Sequence, residues 1–351
     1  MNDNKKEETE TSIIILNYNA GKLLLDCVGS ITKSSSDNYE IILVDNNSKD
    51  NSHTKCKKKF PGIRLIENDQ NLGYCEGNNV GIRKAKGKFI IILNPDTIVE
   101  PDWLNELISA YNKFGEGLYQ PKHLSLNEKT VYMSAGNMLN IFGFGYAREK
   151  GKKDTNQFNK IEEIGYASGT CLFTSSAVLK KVGLFDPFIF LYHDDLDLGW
   201  RASQLGIKSY YVPASIIYHA ESYSLRWNAE KFYWLERNRK YCLLTHYSKQ
   251  TYSKIFSTLL LVDFFVWMFY LTRGFLGSKI RAELNIIKNR KKIQKKYEEL
   301  ESKKIISDKE LIIKFSDSLY VPSNVAGKNI NSVFNSLIER LSKTAKKSLA
   351  S

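Results

Sequence analysis

The feature that most constrains this chain is a regular alternation of short apolar runs with helix-patterned stretches over residues 12–122. The runs at 12–16, 40–44, 63–66 and 88–93 are too short for helices and rich in β-branched residues, so each reads as a strand. Between them helix patterns cover residues 22–32, the stretch from a Ser48/Asp50 cap toward Phe60, then 73–85 and 101–114. Continuous apolar strands separated by helices predict a parallel sheet covered on both faces. In such sheets a ligand sits beyond the carboxyl ends of the strands. Those ends carry Asn17 and Asn19, Asp45 and Asn46, Asn71, and Asn94-Pro95-Asp96. One such residue is ordinarily a turn or a helix cap. Their recurrence at one edge predicts a binding site.

The second half departs from that alternation. Residues 123–165, with Gly136, Gly143, Gly145 and Gly151, are expected to form a long excursion over the site. A strand pattern follows at 165–173, then a short helix at 176–182. Asp194-Asp195-Leu196-Asp197 is the densest acidic cluster and opens a helix reaching about Leu205. Strands are expected at 209–212 and around 216–218, the latter ending at His219. From Trp227 onward the pattern is helical and basic.

Two constellations carry chemistry. A carboxylate directly after a buried strand, as Asp96 is, can ligate Mg²⁺ or Mn²⁺, which in turn binds diphosphate oxygens. His219, also at a strand end, is a candidate third ligand, although imidazole suits such ions less than carboxylate does. Asp194, Asp195 and Asp197 repel one another, and a helix N-terminus accounts for one of them. Another can serve as the general base that takes a proton from an acceptor hydroxyl. The spacing of Asp197 and Arg201 predicts an ion pair within the helix.

Composition adds a partner and a compartment. The net charge is +13, and residues 279–304 hold ten Lys/Arg against four Glu. Such a local excess points to a polyanion, either nucleic acid or an anionic membrane. No aromatic-interleaved or groove-fitting motif supports nucleic acid. Residues 255–276 are strongly apolar and, beside the basic stretch, suit docking on anionic lipid. Asp263 near their middle opposes a true membrane span, while a buried hairpin is the remaining alternative. Five scattered cysteines, without metal-site spacing, read as reduced buried thiols of a cytosolic protein. Residues 1–11 are expected to be a disordered lead-in rather than a signal peptide.

Taken in order, the motifs resemble the family 2 glycosyltransferases of GT-A fold, rhamnosyltransferase-like members especially. The likeness runs from about Ser12 to Arg239. Its marks include Ile15-Leu16-Asn17-Tyr18-Asn19, Val44-Asp45-Asn46-Asn47-Ser48, Asn71-Leu72-Gly73-Tyr74 with Gly77-Asn78-Asn79, and Leu93-Asn94-Pro95-Asp96. Further on stand Ala167-Ser168-Gly169, Gly183-Leu184-Phe185-Asp186, His193-Asp194-Asp195-Leu196-Asp197 and Leu235-Glu236-Arg237-Asn238-Arg239. The resemblance implies a GT-A (Rossmann-like) α/β fold, with a mixed, mainly parallel sheet at 12–225; from their helical pattern and charge, residues 226–351 are expected to be a helical, basic, membrane-associating extension. The resemblance also implies nucleotide-sugar contacts from Asn17, Asn19, Asp45, Asn46, Asn71, Gly73, Asn78 and Asn94. Asp96 matches the second acid of the metal-binding DxD motif, with Asn94 in the first position. Asp195 matches the catalytic base of an inverting displacement, and Asp194 replaces the usual Glu before it. Asp197, Trp200 and Arg201 fall on the acceptor side. No QxxRW signature follows, which implies one sugar per encounter rather than polymerisation.

The expected protein is therefore a metal-dependent transferase at the inner face of the cell membrane. It would move a UDP- or dTDP-linked sugar to a glycan or lipid-linked acceptor in cell-surface polysaccharide assembly. A nucleotidyltransferase acting on sugar phosphates and a non-catalytic membrane scaffold of the same fold are the rival readings.

Overall fold

The computed structural model describes residues 9–220, 228–319 and 328–350. The alternating half folds as β1 (Thr11–Asn17), α1 (Lys22–Ile31), β2 (Tyr39–Asp45), α2 (Ser52–Lys59), β3 (Arg64–Glu67), α3 (Gly73–Ile82) and β4 (Phe89–Leu93). Then come β5 (Thr97–Val99), α4 (Trp103–Phe114) and β6 (Gly117–Ser125). The glycine-rich stretch forms short strands, β7 (Tyr132–Ser134), β8 (Asn137–Leu139), β9 (Gly145–Ala147) and β10 (Glu162–Ile164). β11 (Cys171–Ser175), α5 (Ser176–Val182), α6 (Asp194–Gln204) and β12 (Lys208–His219) complete the sheet half. The helical part comprises α7 (Ala229–His246), α8 (Lys249–Lys254), α9 (Phe256–Thr272), α10 (Leu276–Lys288), α11 (Arg290–Lys303), α12 (Asp308–Lys314) and α13 (Lys328–Ala350).

The main sheet has the order β10-β12-β6-β11-β4-β1-β2-β3. β4, β1, β2 and β3 run parallel, as the helical crossovers between them require. β11 enters antiparallel between β4 and β6, and β12 then pairs parallel with β6. The fold is thus mixed α/β with a mainly parallel sheet and flanking helices. Alternation along the strands splits the core into two layers. Ile14, Ile42 and Ile92 face the layer shared with α5, α6 and α7, while Ile13, Ile41 and Ile91 face the layer under α1 and α4.

Local chemistry explains the element ends. The cap expected at Ser48 or Asp50 falls instead at Asn51, which is left-handed and makes no side-chain capping bond, while Asp50 accepts the Ser52 amide at 3.0 Å. The two strands expected around 209–218 are one strand, β12, whose register shifts between Val212 and Ile216. The excursion at 123–165 covers the pocket only in part. Gly145 reaches the cavity, whereas Ile141 and Phe142 are wholly buried and Asn140 donates to the Ser316 carbonyl at 2.9 Å. The reason is apolar content: a segment carrying such side chains must pack on the core.

Four further expectations meet the structure. Residues 1–8 of the expected lead-in lie outside the described residues, but Glu10 and Thr11 are hydrogen bonded into the sheet. The expected boundary near 225 also lies outside them. Among the described residues no helix is long and apolar enough to cross a membrane, and the stretch 255–276 is divided between α9 and α10. Asp263 on α9 is paired with Arg239 and Lys279 rather than facing outward. All five cysteines are buried and free.

α3 lies close on the sheet because its inner face is glycine. A Cβ on Gly81 would come within 2.5 Å of Ile14 Cγ2 and 3.1 Å of Val44 Cγ2. Gly81→Val is therefore expected to destabilise the fold by about 1–3 kcal/mol through overpacking. The midpoint of urea denaturation measures it.

Candidate active site

A cavity of about 770 Å³ opens at the carboxyl edge of the parallel strands. Its floor is the Asn94-Pro95-Asp96 turn after β4. One side carries Asn46, Asn71 and Gly73, and the other carries Asp194 and Asp195 at the start of α6. Glu230, Lys231 and Trp234, on one face of α7, stand at the third side.

Asp96 is buried, and its Oδ2 lies 3.2 Å from His219 Nε2. Its Oδ1 is also buried and has no hydrogen-bond partner among the described residues. An unbonded carboxylate oxygen is costly to bury unless a ligand or cation meets it. β5 and β12 create this pair, because Thr97 lies directly opposite His219 in their ladder.

The acidic side rests on an unusual loop. Phe190, Tyr192 and His193 all adopt left-handed backbone conformations, with φ of 64°, 62° and 62°. Such conformations cost energy in non-glycine residues and persist only where surroundings impose them. Here the surroundings are the side chains of α7. Asn238 Nδ2 donates to the carbonyls of Leu191 at 2.7 Å and Tyr192 at 2.8 Å, and Arg237 Nη2 donates to those of Phe188 at 2.5 Å and Ile189 at 2.9 Å. Phe190 also stacks on Trp234 with ring centroids 5.0 Å apart. Across the pocket, Gly73 has φ of 75°, and a Cβ there would collide with the Phe190 ring. The Tyr74 amide donates to the Phe190 carbonyl at 2.7 Å. The loop is thereby clamped from both sides.

This loop delivers Asp194 and Asp195 to the pocket wall. Asp195 Oδ2 accepts the Gly169 amide at 3.0 Å, and its Oδ1 accepts the Leu196 amide at 2.8 Å. Tyr74 donates its hydroxyl to the Gly169 carbonyl at 2.6 Å. Burial raises the Asp195 carboxyl above the ordinary carboxylate range. Asp194 is raised further, by burial first and then by the neighbouring Asp195 charge. The preceding His193 imidazole is pushed down to about 4 by burial, so it is neutral near pH 7.

Eight of the sequence-predicted residues line this one cavity: Asn46, Asn71, Gly73, Asn94, Asp96, Asp194, Asp195 and His219. Others stand behind the wall. Asn17 is wholly buried and donates to Asp45 Oδ1 at 2.7 Å and to Ser52 Oγ at 2.8 Å. Asp45 also accepts the Ser48 amide, at 2.8 Å, so both its oxygens are engaged within the protein. Asn19 holds the Lys49 amide at 2.7 Å, and Asn78 donates to the Tyr74 carbonyl within α3. These four shape the loops that carry the wall.

The acceptor-side assignment of Asp197, Trp200 and Arg201 is corrected. All three are buried in the core and none reaches the cavity. Helical periodicity turns them away from Asp194 and Asp195. Asp197 lies 2.8 Å from Arg201 and 3.2 Å from His246, and the Arg201 guanidinium with the His246 hydrogen bond holds its carboxyl well below the ordinary range despite burial. Arg201 also donates to the carbonyls of Val182 and Leu184, both at 2.9 Å, fixing the Gly183-Leu184-Phe185-Asp186 turn.

Sequence reasoning missed Tyr74, Phe190, Tyr192, Glu230, Lys231 and Trp234, all on the cavity wall. The Leu235-Glu236-Arg237-Asn238-Arg239 motif was the available signal. A pocket-facing stripe one turn before it, at Lys231 and Trp234 with Leu235, follows from helical spacing.

Residues 12–183 match the family described as glycosyl transferase family 2. An N-acetylglucosaminyl-diphospho-decaprenol L-rhamnosyltransferase of Mycobacterium tuberculosis is 25% identical over 235 residues, which are 60% of this chain and 76% of that protein. The low-salt glycan biosynthesis hexosyltransferase Agl10 of Haloferax volcanii is 24% identical over 213 residues, covering 57% of this chain and 63% of its own. In fold, the chain is similar to GalNAc-T7, solved with UDP, GalNAc and Mn²⁺, at a TM-score of 0.57 and 18% identity, over 72% of this chain and 50% of that one.

The distinct roles of the acids predict distinct defects. Asp197→Ala strips a buried Arg201 of its partner and is expected to cost about 3–5 kcal/mol of stability. Because the folded carboxyl is depressed, the stability it contributes is present above the unfolded pKa and lost as pH falls through the lower folded one. Denaturation from pH 7 down toward pH 2 measures both effects.

Proposed function

We propose that this chain, whose residues 12–183 match glycosyl transferase family 2, moves one sugar, with inversion, from a nucleotide diphosphate-sugar to a lipid-linked or glycan acceptor. One observation carries the reading: Asp195 faces the same cavity as Asp96, whose buried Oδ1 is unbonded. A UDP- or dTDP-linked donor would lie along Asn46, Asn71 and Gly73, with Asn17, Asn19, Asp45 and Asn78 holding the loops beneath it. Tyr18, 42% exposed beside that wall, offers a ring for the base.

The donor set of Asp96 and His219 fits Mg²⁺ or Mn²⁺, with the unbonded Oδ1 as the first ligand and the imidazole as the second. Asn94 adds an amide oxygen rather than a second acid. A divalent cation held there would neutralise charge on the diphosphate leaving group. Asp195 takes the proton of the acceptor hydroxyl as its oxygen bonds to the anomeric carbon. The bond from that carbon to the diphosphate breaks on the opposite face, and the nucleoside diphosphate leaves. Asp194, neutral over a wider range because of burial and the adjacent charge, limits repulsion at the base.

The acceptor enters past Trp234, Tyr192 and Lys231. An aromatic and cationic rim suits a sugar face joined to a diphosphate. The relatives named above lend this support, since one is a transferase for a diphospho-decaprenol sugar. Such an acceptor is presented at a membrane. The protein would work there as a peripheral enzyme on the cytoplasmic side, attracted by its +13 charge to anionic lipid.

Two measurements test the reading. Asp195→Asn is expected to lower kcat by about 10²–10⁴-fold, with the denaturation midpoint followed alongside because one of the amides it accepts loses its partner. A base must be ionised, so the wild-type rate should rise with pH through the raised Asp195 pKa and fall below it. Loss of that limb in the variant supports the role; an unchanged rate overturns it. For the cation, Mn²⁺ should raise the thermal midpoint in the presence of UDP, and Asp96→Ala should abolish that rise.

A further inference from the structure

We propose that the outward faces of α9 and α10 form the surface that docks on anionic lipid, with the mouth of the pocket at its edge. The proposal rests on the lipid-linked acceptor reading above and names the surface that reading requires.

Nine of the thirteen exposed large apolar side chains among the described residues sit on these two consecutive helices. Phe256, Leu260, Phe264, Met268 and Leu271 recur at spacings of four, four, four and three, which marks one face of α9. Ile280, Leu284 and Ile287 do the same on α10, the latter two each 61% exposed. Scattered apolar residues on a surface need no explanation, but two continuous stripes on packed neighbours do.

Charge selects the occupant. Between Lys254 and Lys295 the chain has only two carboxylates, Asp263 and Glu283. Both turn inward: Asp263 lies 3.0 Å from Lys279 and 3.2 Å from Lys240, and Glu283 lies 2.7 Å from Lys279. Glu236 of α7 completes the network, 2.6 Å from Lys279. Three acids that might otherwise suggest a metal are thus neutralised by cations. What the helices and their flanks expose beside the apolar stripes is Arg273, Lys288, Arg290, Lys291, Lys292 and Lys295. A second copy of the chain would present the same cations and repel, whereas anionic headgroups match the rim and acyl chains match the stripes. α9 has 17 residues and does not qualify as a span, so it would lie in the interface plane.

The face is also joined to the pocket. Phe275, at the turn between α9 and α10, packs on Phe232 of α7 with centroids 4.3 Å apart. Ser278 donates to the Ala229 carbonyl at 2.7 Å, and Arg281 binds both oxygens of Glu230 at 2.8 Å. Glu230 and Lys231 line the cavity. Lipid held by α9 and α10 would therefore present its headgroup region to the first turn of α7.

Flotation of the full chain with vesicles tests this. Wild type should float with phosphatidylglycerol-containing vesicles and much less with pure phosphatidylcholine. Leu260→Glu/Leu284→Glu alters only exposed positions and should lower the floated fraction by about tenfold. Lys288→Glu/Lys292→Glu keeps every apolar side chain and should lower it on the anionic vesicles alone. Both variants should hydrolyse soluble nucleotide-sugar like wild type. Wild type that stays at the bottom of the gradient, or a Leu260→Glu/Leu284→Glu variant that floats equally, overturns the docking surface. So does light scattering that finds a wild-type dimer, split by the same variant, with no flotation. If flotation behaves as expected but no form hydrolyses any donor, the transfer reading fails and the surface stands.

Discussion

The site depends on the satisfaction of backbone carbonyls in the loop at 188–192. That loop is irregular, packed between α3 and α7, and includes left-handed residues that would relax if released. Buried carbonyls without partners are expensive; the Tyr74 amide of α3 meets that of Phe190, while its neighbours in the loop need side-chain partners. Arg237 and Asn238 supply them from α7. Because the loop ends at the first turn of α6, the position of Asp194 and Asp195 is set by side chains some forty residues later in the chain. The sheet presents Asp96, and α7 of the helical part fixes the loop that presents the acids of α6.

α7 is held in turn. Glu236 pairs with Arg239 and Lys279, and Lys279 reaches Asp263 and Glu283 on α9 and α10. Removing any one charge from so buried a network would leave another uncompensated, so the helices act as a unit. The same network turns every carboxylate of α9 and α10 inward, which leaves their outer faces apolar with cationic edges. The internal electrostatics that stiffen the site thereby also shape the surface beside it.

Within α6, three aspartates in four positions meet opposite environments. Asp197 faces the core and has Arg201 and His246, so its carboxyl is depressed. Asp194 and Asp195 are instead raised by burial. The divergence gives one helix turn both a structural ion pair and carboxyls of elevated basicity. Such a raised pair is stable when protonated and loses that contribution as pH rises through the folded values, a cost placed at the pocket wall.

The parallel half of the fold was legible because its strands are continuous β-branched runs punctuated by Asn, Asp and Gly. Local chemistry there fixes both the elements and the edge at which a ligand must sit. Asp96, His219, Asp194 and Asp195 were legible for the same reason: each follows a strand or opens a helix. The sequence alone did not reveal that β11 enters antiparallel, that Asp45 and Asn17 satisfy each other behind the wall, or that Asp197, Trp200 and Arg201 point into the core. Nor did it reveal that Trp234 and Lys231 come from the helical part to close the pocket. Those facts depend on which side chains meet across long sequence separations, and only the packed chain decides which polar atom finds a partner inside the protein and which, like Asp96 Oδ1, finds none among the described residues.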